Sequence, residues 1–304
     1  MRAAFLGTPV AAVPALAALV DVADVVTVVT RPDQPRGRSG RAVPPPVKVG
    51  AAEWGLRVAQ PSSHDELLAV LGPLRLDIAV VVAYGRILRP AVLATTRVGF
   101  VNVHLSLLPR WRGPAPVERA ILNGDPTTGV SLMLLDEGVD TGPVISAIET
   151  PIADDETGGS LTARLSFLGA QILDDSLPDY AAGRLQPAPQ MAAGASQAPL
   201  LTKDEARITL AVSPDHAVRM VRAFHPRPGA WIATEDGRVE IESAAISSEN
   251  VASGVIEASQ GRPVLGLTGG SIELSAVRPE GRTVQSGVDW MNGRRGRAAR
   301  LVAS

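Results

Sequence analysis

The sequence predicts an α/β fold followed by a second, smaller β-rich domain. In the first half, short β-branched runs alternate with helical patterns, which is typical of a parallel sheet with crossover helices. Beyond a Pro-, Ala- and Gln-rich segment, short strand-like runs recur with turn residues between them. The length of 304 residues also favours two domains over one.

The first domain, residues 1–183, is expected to be Rossmann-like with a parallel-rich sheet. β-Branched runs predict its strands, which are Arg2–Leu6, Val25–Val29, Asp77–Val82, Phe100–His104, Thr128–Leu134 and Val144–Ile148. Helical patterns predict its helices, which are Pro9–Val20, Val47–Trp54, Ser63–Leu71, Ala115–Leu122 and Ser160–Ala182. Ser62 or Ser63 is expected to cap the third helix, because Asp65 and Glu66 then fall in its first turn.

A linker and a second domain are expected to follow. The linker is predicted at residues 184–203, because Gln186–Pro199 lacks apolar periodicity. Residues 204–304 are predicted to form a small barrel of the OB type, beginning with a helix at Asp215–Ala223. Its predicted strands are Ala230–Thr234, Val239–Ile246, Gly254–Ala258, Val264–Leu267 and Ser271–Val277.

Composition excludes several functional classes. The chain has no cysteine, which rules out disulfides, thiolate catalysis and Cys-ligated zinc. It contains no apolar run of about 18 residues and no secretory signal pattern, so we expect a cytoplasmic protein without a membrane partner. The net charge of -2 argues against a uniformly basic nucleic-acid binder, but arginine is concentrated at residues 31–48 and 278–300.

The turn after the first strand carries a weak nucleotide-binding signal. Gly7, Thr8 and Pro9 stand where a dinucleotide-binding fold has its phosphate loop, but the G-x-G-x-x-G pattern is absent. A tight turn with proline in the first helical turn explains these residues equally well.

Asn102 and His104 form a candidate site. They lie two residues apart at the end of a predicted strand, so their side chains point to the same face. The carboxyl ends of strands in open α/β sheets are where ligands bind. A histidine at such a position is often structural, but the neighbouring amide and the Pro- and Arg-rich loop that follows favour a site.

An acidic segment, residues 136–142, contains Asp136, Glu137 and Asp140. A calcium loop would need a glutamate at its twelfth position, where Ala147 stands, so that interpretation fails. Considered alone, the segment is best explained as an ordinary acidic hairpin turn.

Together these motifs carry a family resemblance. N-x-H-x-S-L-L-P-x-x-R-G-x-x-P from Asn102, followed by D-x-G-x-D-T-G from Asp136, resembles the folate-dependent formyltransferases. Further segments are similar to the branch that acts on methionyl-tRNA. They are Phe5–Pro9 with Ala12–Pro14, Arg31–Pro35 with Gly37 and Arg38, Pro46–Lys48, Val82–Gly85, Leu201–Lys203, Arg278–Gly281, and Gly287 with Asn292 and Gly293.

The resemblance implies formyl transfer from 10-formyltetrahydrofolate, without a metal. Asn102 would donate hydrogen bonds to the developing oxyanion, His104 would transfer protons, and Asp140 would orient the imidazole. The implied folate-binding residues are Tyr84, Arg86, Leu88, Ser106, Leu107, Leu108 and Pro109. For Ile87 and Leu88, core packing is an equally good explanation.

The implied acceptor is methionyl initiator tRNA, bound by a monomer. Arg31, Arg36, Arg38, Arg41 and Lys48 face a single acid, Asp33, in a Pro- and Gly-rich loop that the resembling family uses to grip the acceptor end. A merely solvated loop is the alternative. The chain departs from the family pattern at Ala11, Thr209-Leu210 and His225–Pro228, away from the catalytic residues.

Two other functions remain open from the sequence. A formyltransferase for a small amine, such as a glycinamide nucleotide or an amino sugar nucleotide, would share the catalytic core but would not need the arginine-rich loop or the second domain. A non-catalytic RNA- or folate-binding module would not need Asn102, His104 and Asp140 together.

Overall fold

The computed structural model describes residues 1–35, 40–295 and 297–302, which form two compact units. The first unit comprises Met1–Pro116, Thr127–Pro151 and Thr162–Ala198, and the second comprises Val117–Pro126, Ile152–Leu161 and Pro199–Ser304. Each unit contains its own sheet, so the predicted α/β fold with a smaller β-rich part is confirmed.

The first unit is built on a mixed sheet with the strand order β5-β2-β1-β6-β7-β8-β9. The strands of this unit are β1 Arg2–Gly7, β2 Asp24–Val29, β3 Gln34–Pro35, β4 Ala42–Val43, β5 Val58–Ala59, β6 Leu76–Val82, β7 Thr96–His104, β8 Thr127–Leu134 and β9 Val144–Pro151. The neighbouring strands β5, β2, β1, β6 and β7 pair in parallel, whereas β8 and β9 are antiparallel additions at one edge. β3 and β4 form a separate small hairpin.

Helices connect these strands as the predicted alternation requires. They are α1 Val13–Val22, α2 Pro46–Glu53, α3 His64–Leu71, α4 Pro90–Leu93, α5 Pro116–Asn123 and α6 Gly158–Ala181. The helix predicted from Pro9 begins later, after a 3-10 turn at Val10–Ala12, because Pro14 lacks an N–H and is tolerated only in a first helical turn. Ser63 caps α3, and its Oγ accepts a hydrogen bond of 3.1 Å from the Glu66 N–H.

The centre of the first sheet is apolar on both faces. Ala3–Leu6 of β1 and Ile78–Val82 of β6 are buried throughout, as expected for parallel strands covered by helices on both sides. β7 lies beside β6 and ends in Asn102 and His104. The rigid core therefore fixes the position of the strand end that carries the candidate site.

The second unit contains an antiparallel, barrel-like sheet, which confirms the predicted class of fold. Its elements are α7 Pro214–Phe224, β10 Trp231–Thr234, β11 Gly237–Ser247, β12 Val255–Ser259, β13 Arg262–Leu267, β14 Gly270–Pro279, β15 Gln285–Ser286, α8 Gly287–Gly293 and β16 Ala299–Arg300. The strand order is β10-β11-β14-β13-β12-β16. A bridge between Thr234 and Leu301 links the two ends of that order. Phe224, Ile241 and Trp290 lie in its core.

In the part of the chain that the structure describes, no helix is both long enough and apolar enough to cross a membrane.

Candidate active site

Strand β7 holds Asn102 and His104 on one face at its carboxyl end. Asn102 lies opposite Val81 of β6 and Met133 of β8, and His104 lies opposite Ser131 of β8. Both side chains are largely buried, with exposed fractions of 9% and 6%. They therefore lie where the sheet changes from parallel to antiparallel pairing, with Asn102 paired on both sides and His104 paired with β8.

Asp140 reaches these two residues from the turn between β8 and β9. Its Oδ1 accepts a hydrogen bond of 3.4 Å from the Asn102 Nδ2, and its Oδ2 lies 3.6 Å from the His104 Nδ1. The Gly113 N–H donates to the same Oδ2 at 2.8 Å. The structure thus brings together the amide, imidazole and carboxylate that the sequence singled out.

The two ring nitrogens of His104 face different partners. The Nε2 lies 2.9 Å from the backbone carbonyl of Trp111, which can only accept a hydrogen bond, so the Nε2 carries the proton. In the neutral ring the Nδ1 is then unprotonated and faces the carboxylate of Asp140. His104 can accept a proton on the Nδ1 without turning its ring.

The acidic segment folds as a compact turn. The Asp136 Oδ1 accepts hydrogen bonds from the Gly138 N–H at 3.0 Å and the Thr141 Oγ1 at 2.7 Å. A Cβ on Gly142 would lie 2.0 Å from the Leu134 carbonyl oxygen, so only glycine fits there. Among the described residues, no cluster of three or more His, Asp or Glu side chains suits a metal ion.

Residues 84–88, predicted to line a folate pocket, follow β6 directly. Tyr84 is 1% exposed, its hydroxyl has no hydrogen-bond partner among the described residues, and burial raises its pKa. No backbone–backbone hydrogen bond is formed by the described amides of Gly85–Leu88. The Arg86 guanidinium donates to the Ser62 carbonyl at 2.5 Å, Ile87 is exposed and Leu88 is buried. Among the described residues, the amides of Gly85–Leu88 therefore have no backbone partner, and they follow a buried phenol.

Residues 106–109, the other predicted folate segment, form an ordered loop after β7. The Ser106 Oγ donates to the Arg110 carbonyl at 2.6 Å. The Ser131 Oγ donates to the Ser106 carbonyl at 2.8 Å and accepts from the Leu108 N–H at 3.0 Å. Leu107, Leu108 and Pro109 are partly exposed. The loop is fixed by side-chain hydroxyls, and its apolar side chains remain accessible.

A hydrogen-bonded cluster holds the base of the arginine-rich loop, which comprises residues 31–48. The Lys48 Nζ lies 2.9 Å from both carboxylate oxygens of Asp33 and 2.8 Å from the Gln60 Oε1. The Gln60 Nε2 donates to the Asp33 Oδ1 at 2.7 Å and to the Arg31 carbonyl at 2.8 Å. The Lys48 and Gln60 hydrogen bonds hold the pKa of Asp33 below its usual value.

The predicted tRNA-binding residues therefore have different environments. Lys48 is paired at the base of the loop, Arg31 is partly exposed, and Arg41 is exposed. Arg36 and Arg38 lie outside the described residues.

Sequence reasoning missed several contributors to the site. The Trp111 carbonyl and the Gly113 N–H are backbone groups, which carry no residue-type signal. Gln60 and Gln190 are isolated amides whose partners are distant in sequence. The sequence offered one signal for these backbone contacts, which is the R-W-R-G segment at residues 110–113 in the loop after β7.

The fold and this site define a formyl transferase. Residues 1–177 match the formyl transferase family and residues 200–295 match the formyl transferase C-terminal domain, so the chain belongs to this family.

Two relatives narrow the resemblance within the family. The methionyl-tRNA formyltransferase of Halorhodospira halophila (strain DSM 244 / SL1) is 43% identical over 309 residues, covering 97% of this chain and 96% of the relative. The methionyl-tRNA formyltransferase of Xylella fastidiosa (strain M12) is 43% identical over 301 residues, with coverage of 97% and 98%.

A solved structure is also similar in fold. It is that of WlaRD, a sugar 3N-formyl transferase, in the presence of dTDP and 5-N-formyl-THF. The TM-score is 0.69 at 16% identity, covering 93% of this chain and 99% of that chain.

Proposed function

We propose that this protein transfers the formyl group of 10-formyltetrahydrofolate to the α-amine of methionyl initiator tRNA, and so serves translation initiation in the cytoplasm as a monomer. The observation that carries the proposal is the cluster of Asn102, His104 and Asp140 at the end of β7, with contacts of 3.4 and 3.6 Å. Full-length relatives that are named for this reaction support the same acceptor.

The reaction exchanges one C–N bond for another. The α-amine forms a bond to the formyl carbon, the bond from that carbon to the folate N10 breaks, the amine loses a proton and N10 gains one. A tetrahedral intermediate with a negative oxygen lies between the two steps. The site must therefore supply an oxyanion donor and a group that can accept and return a proton.

The three side chains match these requirements. The Asn102 Nδ2 has two hydrogens, of which one is directed to Asp140, so the second is available to the oxyanion. The unprotonated Nδ1 of His104 accepts the amine proton, and the nearby Asp140 carboxylate stabilises the imidazolium. The imidazolium then supplies the proton that the leaving nitrogen needs.

Residues 84–88 and 106–109 fit a folate donor. A pterin needs hydrogen bonds along its edges and apolar contacts on its faces. The amides of Gly85–Leu88, which have no backbone partner among the described residues, supply polar groups, and Leu107 and Leu108 supply partly exposed apolar surface. Tyr84, Arg86, Leu88 and residues Ser106 to Pro109 remain the residues that we propose for this pocket.

The domain assignment follows the same proposal. We assign residues 1–183 to catalysis, residues 184–203 to a linker and residues 204–304 to tRNA binding. A small amine acceptor would leave the arginine-rich loop and the second unit without a partner, whereas an acceptor stem offers phosphates to both.

The direct test is a formylation assay with several acceptors. The purified protein is mixed with 10-formyltetrahydrofolate and charged methionyl initiator tRNA, charged elongator tRNA, or amino sugar nucleotides. We expect transfer to the initiator tRNA alone. Transfer to a sugar nucleotide in place of the tRNA would reject the proposed acceptor, and folate binding without any transfer would favour a binding module.

The arginine-rich loop provides a separate prediction about the acceptor. Replacing Arg36, Arg38 and Arg41 together with Ala should weaken binding of methionyl-tRNA and flatten its salt dependence. Each lost phosphate contact removes about 0.7–0.9 from the slope of log affinity against log salt. Filter binding between low and moderate salt measures this slope.

Two comparisons make that measurement specific. Affinity for 10-formyltetrahydrofolate should stay unchanged in the triple variant, and replacing Arg75, Arg89 and Arg97 with Ala provides a charge-matched control from outside the loop. Unaltered tRNA affinity and salt slope in the loop variant would reject the tRNA role of these arginines and return the small-amine acceptor to consideration.

A further inference from the structure

Residues 188–198, within the predicted linker, form many contacts inside the first unit. Ala188 exchanges two backbone hydrogen bonds of 2.8 Å with Val144, next to the Asp140 turn. The Arg112 N–H donates to the Ser196 carbonyl at 2.9 Å, and the Ala198 N–H donates to the Arg112 carbonyl at 2.7 Å. The Ser196 Oγ also accepts from the Trp111 N–H at 2.9 Å. The segment is therefore hydrogen-bonded both to the loop after β7 and to the strand that follows the Asp140 turn.

Among the described residues, Gln190 is the one residue of this segment whose side chain forms hydrogen bonds with both loops. Its Nε2 donates to the carbonyls of Asp140 at 2.9 Å and Gly142 at 2.7 Å. Its Oε1 accepts from the Arg112 Nε at 2.9 Å and Nη2 at 2.7 Å. Carbonyls only accept and a guanidinium only donates, so the orientation of the amide is unambiguous. These four hydrogen bonds use the full capacity of the side chain, and we call them the Gln190 bridge.

The Gln190 bridge acts on the backbone that positions Asp140. Asp140 has a φ of +52°, a left-handed conformation that a residue with a Cβ adopts only when its surroundings hold it. The Gln190 Nε2 binds the carbonyls on both sides of Thr141, the residue after Asp140. At its other end the bridge holds Arg112, and the adjacent Gly113 N–H donates to the Asp140 carboxylate.

We infer that Gln190 is a positioning residue for formyl transfer, which fixes the Asp140 carboxylate against His104 and Asn102. The inference rests on the proposed function, because it requires Asp140 to act in the reaction. Gln190 reaches Asp140 through backbone carbonyls and does not itself touch the imidazole in the contacts described. Its loss should therefore impair the chemical step and leave substrate affinity largely intact.

The size of the effect follows from the geometry. The carboxylate already lies 3.6 Å from the Nδ1, which is longer than a direct hydrogen bond. A misplacement of about 1 Å in a catalytic group costs up to about 100-fold in rate. We expect Gln190→Ala to lower kcat about 10- to 100-fold, with KM for folate and for methionyl-tRNA changed less than about threefold.

A second substitution separates the two ends of the bridge. Gln190→Glu keeps the acceptor for Arg112 but places a carboxylate oxygen against the carbonyls of Asp140 and Gly142. A kcat as low as that of Gln190→Ala assigns the effect to the two bonds with the turn. Gln186→Ala is the matched control, because Gln186 lies in the same predicted linker and its Nε2 donates to the Gly183 carbonyl instead.

The decisive experiment is a double-mutant cycle with Asp140→Asn. A residue that acts through Asp140 loses its effect once the carboxylate is gone, so Gln190→Ala should change kcat less than about twofold in that background. Single-turnover formylation of methionyl-tRNA gives the four rates. Hydrogen exchange of the amides at residues 138–142 gives an independent readout, which should accelerate in Gln190→Ala and stay unchanged in Gln186→Ala.

The outcomes distinguish this inference from the proposed function. A slow Asp140→Asn enzyme with a normal Gln190→Ala enzyme overturns the role of Gln190 alone. Equal effects of Gln190→Ala with and without the Asp140 carboxylate also overturn it, because Gln190 would then act by another route. A fully active Asp140→Asn enzyme overturns the proposed site and the inference together. If no acceptor is formylated, unchanged hydrogen exchange at residues 138–142 in Gln190→Ala still overturns the positioning role of Gln190.

Discussion

His104→Ala and Asp140→Ala are each expected to lower turnover about 100-fold or more, because a general acid–base group contributes roughly 10²–10⁴-fold. The His104 Nδ1 faces the Asp140 carboxylate at 3.6 Å, and its Nε2 is held by the Trp111 carbonyl at 2.9 Å. In the proposed mechanism, removing the ring leaves the amine proton without an acceptor. Removing the carboxylate leaves the imidazolium without its negative partner.

Turnover is measured at saturating 10-formyltetrahydrofolate and methionyl-tRNA, with single-turnover rates to isolate the chemical step. Thermal unfolding and folate affinity should remain close to those of the unaltered chain. Asp21→Ala, which removes an exposed acid from α1, is the matched control for the loss of a carboxylate. Near-normal turnover in either site variant would remove that residue from the proposed mechanism.

The part of the site that could be predicted from sequence is the part that depends on one strand. The two-residue spacing of Asn102 and His104 determines that both side chains share a face, and the apolar run before them indicates a buried strand. Their position at the end of β7 followed from these local features. Asp140 lies 38 positions beyond Asn102 in sequence, so its approach depends on the pairing of β7 with β8. From the sequence, only the family resemblance indicated that these three residues belong to one site.

Other features escaped prediction because their stabilising partners are distant. The hydrogen bonds between Lys48, Asp33 and Gln60 join residues up to 27 positions apart, and nothing local distinguishes Gln60 from any other glutamine. Strand β16 has two residues and helix α8 has seven, too few for a periodic pattern to be recognised. Both form by contacts with the barrel-like sheet, since β16 pairs with β12 and Trp290 of α8 is buried in the core.

The antiparallel pairing of β8 with β7 was also not encoded locally. Thr127–Leu134 is almost entirely buried, so its apolar run resembles that of the parallel strands. The short turn between β8 and β9, residues 135–143, determines only that β9 is antiparallel to β8, because a connection of that length can join antiparallel strands but cannot cross over to a parallel one. This turn is also the one that carries Asp140, so the topology and the site depend on the same residues.

Asn102→Ala is expected to lower kcat about 100-fold or more, equivalent to about 3 kcal/mol, because a single oxyanion donor is worth roughly that much. The Asn102 side chain is largely buried and its Nδ2 donates to the Asp140 Oδ1 at 3.4 Å, so one of its two hydrogens is engaged and the second is the donor that we propose for the oxyanion. A neutral amide donates there without adding a charge that would disturb His104 and Asp140.

Asn102→Asp sharpens that test, because aspartate has the same shape but its carboxylate cannot donate and would repel both the oxyanion and Asp140. Both variants should show the loss in kcat, while the dissociation constant for 10-formyltetrahydrofolate, measured by fluorescence or calorimetry, changes little. A loss confined to folate affinity would make Asn102 a binding residue. An Asn102→Asp enzyme faster than Asn102→Ala would contradict the donor role, since the carboxylate is the less suitable neighbour for a negative oxygen.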